Sequence, residues 1–412
     1  MGDWRECNLG AMLEIRHGFA FLGEYFANAG THIVLTPGNF YDEGGFKQKG
    51  DKEKWYNGPI PDDYVLHEGD LIVAMTEQAE GLLGSSAIVP RNNIYLHNQR
   101  LGLVQIRDPK QADQRFVYYL FNSKPVRQQI RASASGVKIR HTAPSRIAEV
   151  NVCVPSLPTQ RRIAGILFAY DELIENNQRR IRILEEMART LYREWFVHFR
   201  FPGHEKVKRV NSPLGAIPAG WEVTTFGEIY NTSSGGTPSR KRPDYFEGGS
   251  TDWVKSQELL DGFILSIEER VTKEALENSS AKVFPANTVL IALYGATIGK
   301  LGILAREAAT NQACCGVLPK RSAFGREFAF LTLFLNRERI ISLRLGAAQQ
   351  NISQVLLRNF ECVKPPDDLV GHFSERTAPL FDGLLVLQRK IQNLRRTRDL
   401  LLPRLLGGSI AV

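Results

Sequence analysis

The sequence predicts an α+β protein of two α/β domains, each followed by a long coiled-coil helix, with an internal repeat that gives this order twice. Three observations predict it. The chain is too long for one core yet apolar enough to build two, a set of motifs recurs in the same order roughly 210 residues apart, and each half ends in sustained four-three apolar spacing.

The chain has 412 residues and is 43% hydrophobic, which suffices for packed cores, and single cores seldom grow past about 250–300 residues. No uncharged apolar run reaches the roughly 18 residues of a membrane span. The start, Met1-Gly2-Asp3-Trp4-Arg5-Glu6, has no signal-peptide pattern, so a soluble cytoplasmic protein is expected. Cys7, Cys153, Cys314, Cys315 and Cys362 form no Cys-x-x-Cys pair and read as buried reduced thiols. The net charge of +8 permits contact with nucleic acid without requiring it.

The repeat begins at Trp4, followed by Leu9-Gly10 and His17-Gly18; Trp221 is followed at the same spacings by Phe226-Gly227 and Ser234-Gly235. Gly69-Asp70-Leu71-Ile72-Val73-Ala74 answers Asn287-Thr288-Val289-Leu290-Ile291-Ala292, each a turn and then a β-rich apolar run. Asn98-Gln99 answers Asn311-Gln312, Phe116–Leu120 answers Phe328–Leu331 as the start of a buried helix, and Gly136 answers Gly346.

In the first long helix Ile163, Leu167, Tyr170, Ile174, Asn177, Ile181, Leu184, Ala188, Leu191 and Trp195 step by four and three; Leu380, Leu384, Leu387, Ile391, Leu394, Arg398, Leu401 and Leu405 do so in the second. That spacing is a coiled-coil seam, in which the polar Asn177 and Arg398 are candidates for setting register. Pro158 and Pro379 read as marks near the helix starts and Pro403 as an end or kink of the second. The expected domains are 1–157, a helix over 158–200, a polar linker over 201–219, a second domain over 220–366 and a helix over 367–408.

Several stretches are familiar. Val154-Pro155-Ser156-Leu157-Pro158-Thr159-Gln160-Arg161-Arg162-Ile163-Ala164, Leu191-Tyr192-Arg193-Glu194-Trp195-Phe196-Val197 and Leu214-Gly215-Ala216-Ile217-Pro218-Ala219-Gly220-Trp221 resemble the specificity subunits of type I restriction–modification systems. Gly235-Gly236-Thr237-Pro238-Ser239 with Tyr245 and Trp253-Val254, Gly295–Lys300, and Gln350-Asn351-Ile352-Ser353 are similar to parts of the same family's second domain. The first half departs from it, with His17-Gly18-Phe19-Ala20-Phe21 in place of the Gly-Gly-Thr-Pro-Ser loop, and the second helix begins in a degenerate Pro365-Pro366-Asp367-Asp368.

The resemblance implies a non-catalytic DNA-recognition subunit with two target-recognition domains. Two long antiparallel helices would hold these apart over a bipartite target with an unspecified spacer. It also implies two modification subunits that methylate adenine, and restriction subunits; these partners would use S-adenosylmethionine, ATP and magnesium, with no cofactor on this chain.

The residues offer little for catalysis. Lys364-Pro365-Pro366-Asp367 lacks the polar group and the aromatic of an amino-methyltransferase motif. Gly295–Lys300 is one residue short of a phosphate loop, with Leu301 where Ser or Thr would bind magnesium. Asp244 with Asp252 and Lys255 suggests a nuclease site with one residue too many between its second carboxylate and its lysine. The histidines show no metal-ligand spacing. A stand-alone nuclease and a coiled-coil scaffold without a DNA role are the alternatives.

For DNA, backbone contact calls for Lys and Arg, and base reading for forked donors and acceptors. The candidates in the first half are Lys47 and Lys49 in a glycine-bounded loop, and Lys138, Arg140 and His141 after Gly136. In the second half they are Ser239, Arg240, Lys241 and Arg242, then Lys255, Gln257, Lys300, Gln349, Gln350 and Asn351. The arginines Arg161, Arg162, Arg179, Arg180 and Arg182 read as a solvated helix face or as a contact with the spacer or a partner.

Overall fold

The computed structural model describes residues 4–77, 80–343, 351–410 and 412. The chain divides inside its two long helices into one unit of residues 1–173 with 394–412 and another of residues 174–393.

The first unit carries β1 (Arg5–Asn8), β2 (Leu13–His17), β3 (Leu71–Ala74), β4 (Ser86–Ile88), β5 (Leu101–Ile106) and β6 (Asn151–Val154). Strands β2-β5-β3-β4 form one antiparallel sheet in that order, and β1 pairs with β6. All of β3 is buried, and its side chains alternate between two cores. Leu71 and Val73 join Leu9, Phe116 and Ile130, while Ile72 and Ala74 join Ile33, Leu35 and Tyr95. A strand covered on both faces needs the continuous β-branched and aliphatic run found here. Helix Gln114–Phe121 closes one face, its first turn held by the Asp113 carboxylate accepting from the Phe116 N–H at 3.0 Å.

The second unit repeats the plan with β7 (Glu222–Thr225), β8 (Tyr230–Ser234), β9 (Gly262–Ile264), β10 (Val289–Ala292), β11 (Leu301–Leu304), β12 (Cys314–Pro319) and β13 (Glu361–Lys364). The order is β8-β12-β10-β11, with β9 added in parallel at the edge, and β7 pairs with β13. The register repeats too: Gly102 faces His17 and Val73, and Cys315 faces Ser234 and Ile291 at the corresponding steps. Val289 and Ile291 face one core, Leu290 and Ala292 the other.

Gly18 and Gly235 hold the same place in each unit. A Cβ on Gly18 would lie 2.1 Å from the Asn98 carbonyl oxygen, and one on Gly235 would lie 2.0 Å from that of Thr310. The next N–H in each case donates across the gap, Phe19 to the His97 carbonyl and Gly236 to the Thr310 carbonyl, both at 2.9 Å.

The long helices run over Leu157–Tyr192, continued by a π-helical turn at Arg193–Val197, and over Asp367–Leu406. In the first unit, Ile163, Ala164, Leu167 and Leu405 enter the core of the sheet. The buried Gln160 amide fixes the start of the first helix by accepting from the Asp113 N–H at 3.0 Å and donating to the Gln111 and Pro155 carbonyls at 3.1 and 2.9 Å. Arg398 donates to Asp171 at 2.6 Å, and Asp171 accepts from the Tyr119 hydroxyl at 2.6 Å. In the second unit the helices run antiparallel, with Tyr192 beside Phe373 at 6.0 Å between ring centres and Leu184 beside Gly383. Of the seam positions, Ile163, Leu167, Ile174, Asn177, Leu384, Leu387 and Ile391 are buried; Ile181, Leu184, Leu191, Leu394 and Leu401 are partly buried.

Two proline expectations need correction. The second helix starts at Asp367 and runs through both Pro379 and Pro403. Both prolines are exposed, as are Glu375 and Asp399 four residues before them, so the carbonyls that lose their N–H partner face water. Phe373, Thr377, Phe381 and Leu384 are buried on this helix and hold it through the break. The helix ends instead three residues past Pro403, where Gly407 donates to the Pro403 carbonyl at 3.0 Å and Gly408 turns left-handed at φ 68°.

Two consequences concern stability. Gly18→Ala or Gly235→Ala is expected to cost at least ~1–3 kcal/mol of the stability of its own unit, whereas Gly23→Ala, with open space around it, is expected to change it by less than about 1 kcal/mol; urea titration checks both. His97 is fully buried, and its Nε2–H donates to the Leu101 carbonyl at 2.9 Å. Burial holds its pKa down to about 4. The unfolded chain takes up this proton near the ordinary value of ~6.5, so stability present above that pH is lost as pH falls towards 4, by about 3 kcal/mol in all. His97→Gln is expected to flatten that part of the stability–pH curve.

Candidate nucleic-acid interface

In the second unit the Gly-Gly-Thr-Pro segment leaves β8 and is fastened at several points. The Gly236 carbonyl accepts from the Trp253 indole at 3.0 Å, and Thr237 hydrogen-bonds Gln312. Beyond it, Ser239, Arg240, Lys241 and Arg242 are exposed, and Tyr245 is buried as the anchor that ends the loop. The Arg240 guanidinium lies 4.2 Å from the Phe246 ring centre and 5.1 Å from that of Trp253, and it pairs with Glu269 at 2.7 Å. Arg242 lies over Tyr245 and pairs with Asp244 at 2.6 Å and Glu274 at 3.0 Å.

Lys255 bridges Glu268 and Glu269 at 3.0 and 2.9 Å, beside the exposed Gln257. Burial alone would raise the Glu269 carboxyl, but hydrogen bonds from Lys255 and Arg240 outweigh it and hold the carboxyl below the ordinary range. Lys300 pairs with Asp261 at 2.9 Å. The structure thus brings Arg240 and Lys255 together on one carboxylate, whereas Lys300 is held by a different one. Asn351 is exposed; Gln349 and Gln350 lie outside the described residues.

In the first unit Lys47 is exposed, its ammonium 5.6 Å from the Tyr41 ring centre. Lys49 is half-buried and donates to Thr36 Oγ1 at 3.2 Å, and burial lowers its pKa; it ties the loop to its base. Lys138, Arg140 and His141 are exposed on a separate loop, with His141 Nδ1 3.1 Å from Thr76 Oγ1.

The carboxylates of the suspected nuclease site are spoken for. Asp252 is buried and accepts from Arg270 at 3.0 Å and from Arg306, and the Arg242 guanidinium beside Asp244 holds that carboxyl below the usual range. Gly295–Lys300 closes on itself as a tight turn, the Lys300 N–H donating to the Thr297 carbonyl at 2.9 Å. Sequence reasoning missed Glu269 as the common partner of Arg240 and Lys255. It also missed Phe246 as the surface under Arg240, because no local spacing links these positions.

The family model described as type I restriction modification DNA specificity domain matches residues 1–186 and 218–368. The chain is 27% identical over 305 residues to the type I restriction enzyme MjaIX specificity subunit of Methanocaldococcus jannaschii, covering 72% of this chain and 69% of that one. It is 22% identical over 347 residues to the HindI specificity subunit of Haemophilus influenzae, covering 69% and 74% respectively. The crystal structure of the S subunit of a type I restriction–modification system from M. genitalium shares the fold, with a TM-score of 0.66, 16% identity and coverage of 98% of this chain and 96% of that one. With its doubled domain, its two long helices and a family match in both halves, the chain belongs to the specificity subunits of type I restriction–modification systems.

Proposed function

We propose that residues 1–157 and 220–366 each read one half of a split DNA target, and that the helices over 158–200 and 367–408, joined to the second domain by the linker 201–219, set the spacer between the halves. The observation that carries this reading is the duplicated four-stranded sheet with its repeated register, whose differences fall in loops and in one added edge strand. Two equivalent recognition surfaces suit two half-sites addressed about one helical turn, roughly 34–36 Å, apart. Helices of 36 and 40 residues, at about 1.5 Å per residue, have the length for that task.

On this reading the chain acts within a complex with DNA, two modification subunits and restriction subunits. The modification subunits flip the target adenine into their own pockets, since base chemistry requires extrusion from the stack, and they supply S-adenosylmethionine; the restriction subunits use ATP and magnesium. The chain works as a cytoplasmic protein, in keeping with the finding that no helix among the described residues is long and apolar enough to cross a membrane.

The loop cations serve as phosphate contacts. Exposed ion pairs such as Arg242–Asp244 are worth only ~0–1 kcal/mol, so a phosphate can exchange for the carboxylate. Ser239, Gln257, Gln349, Gln350 and Asn351 are the groups assigned to base edges in the second half, His141 in the first.

Three experiments test this. Co-expression with the methyltransferase subunit of the same system, followed by genome-wide mapping of methylated adenines, is expected to give one split motif that disappears when this chain is omitted. Adding a heptad to the first long helix, with a matching heptad in the second, is expected to alter the spacer but keep both half-sites; an unchanged spacer would sink the ruler. Replacing Arg240, Lys241 and Arg242 by alanine is expected to lower the slope of log affinity against log salt by about 1 for each phosphate that the loop ceases to neutralise, and an unchanged slope would place the phosphate-binding groups elsewhere.

A further inference from the structure

Among the described residues the most exposed large apolar side chain is Val137, at 98% exposure. It sits in a loop that is built rather than loose. Ser135 and His141 close the loop with two backbone hydrogen bonds of 3.0 and 2.8 Å, and Arg140 and His141 then pair antiparallel with Glu77 and Thr76. Gly136 adopts φ 100°, and a Cβ there would lie 2.0 Å from the Ile139 carbonyl oxygen, so only glycine permits the turn that lifts Val137 out.

The strand behind the loop is pinned by the buried Glu77. Its carboxylate accepts from the Gly81 and Leu83 N–H groups at 3.1 and 2.9 Å and lies 3.6 Å from Arg131. An exposed valine on a fixed turn gains nothing from folding.

The neighbours of Val137 indicate what covers it. Gly136 precedes it, and Lys138, the 39% exposed Ile139, Arg140 and His141 follow it, so that apolar and cationic side chains alternate along the exposed turn. No carboxylate pairs with Lys138 or Arg140 among the described residues, whereas Arg240, Arg242, Lys255 and Lys300 each hold one. Unneutralised cations next to an apolar tip complement a polyanion that offers an apolar group beside its phosphates. In the major groove the only apolar feature of a base edge is the C5-methyl of thymine.

Resting on the reading that the chain recognises DNA, we propose that Val137 is a base-reading residue of the first unit and packs its methyl groups against the C5-methyl of one thymine, while Lys138 and Arg140 hold the adjoining phosphates.

The test uses the complex of this chain with its co-expressed methyltransferase subunit, once the methylated motif is mapped. Duplex probes carry uracil, which lacks the C5-methyl, in place of each thymine of the half-sites in turn. Wild type is expected to lose about three- to tenfold in affinity at one thymine of one half-site, in line with one or two buried methyl groups, and Val137→Ala is expected to bind both probes alike. Lys138→Ala and Arg140→Ala should weaken both probes equally and lower the salt slope. If Val137→Ala keeps the wild-type response to uracil at every thymine, the proposal is overturned though DNA recognition stands. Loss of the methyltransferase subunit from Val137→Ala with that response intact would also overturn it, and would assign the loop to a protein interface. Methylation that does not depend on the chain would overturn the underlying reading as well.

Discussion

In each unit one of the two cores closes where the two long helices press their apolar faces into it. Ile163, Leu167 and Leu405 lie in the same cluster as Leu9 and Phe116, and Tyr192, Phe373 and Leu384 lie with Phe328 and Trp221. Most helix stability in a protein comes from packing an amphipathic face rather than from propensity, and these helices follow that rule while crossing prolines. Each domain needs the helices as much as they need it, because a fully buried Leu or Phe contributes about 1.5–3 kcal/mol that an isolated sheet face would forgo. The polar groups set within this interface refine it. Gln160 meets three backbone groups at the start of the first helix, and Arg398 reaches Asp171 at one position along the pair. A half-buried ion pair adds little net stability, but a slipped register would leave both charges unpaired, and that cost favours a single alignment.

The surface follows a different logic from the core. Arg240 and Lys255 converge on Glu269, and Arg242 converges on Asp244 and Glu274. Cations stored against carboxylates stay in place without repelling one another, and under the proposed phosphate-contact role these pairs would weaken non-specific attraction to DNA until a better-placed phosphate competes. The aromatic surface under Arg240 fixes where its guanidinium waits. The first unit keeps fewer such pairs around its exposed loop. On the proposed reading, the two surfaces would balance general affinity and selectivity differently.

Much of this fold could be read from the sequence, and the reason is physical. Gly69 and Asn287 look like a poor match, but both stand in the left-handed region, at φ 92° and 68°, just before the equivalent strands β3 and β10; glycine and asparagine are the residues that tolerate it best. The seam was legible because burial at every third or fourth position leaves a periodic trace. The second sheet of each unit left none. In the first unit it is made from pieces as short as Phe26–Ala27, Trp55–Tyr56 and Tyr95–Leu96, too brief for alternation, and held by partners far away in sequence. The ion pairs were equally hidden, since Arg240 and Glu269 meet only through the fold.

The repeat is kept most closely where the backbone hydrogen-bonds to itself and drifts where it does not. The separation between equivalent strands is 217 positions for β1 with β7 and for β2 with β8, 218 for β3 with β10, 213 for β5 with β12, and 210 for β6 with β13. Every change in separation is an insertion or deletion between strands, because one inside a strand would turn its side chains to the wrong core. Seams and strands therefore had to persist together, while the loops between them could change length and charge independently in the two halves. That freedom explains how Gly18 and Gly235 keep one backbone crossing while the loops beyond them share almost no residues. It leaves one plan carrying two unlike surfaces, which suits the proposed reading of two half-sites.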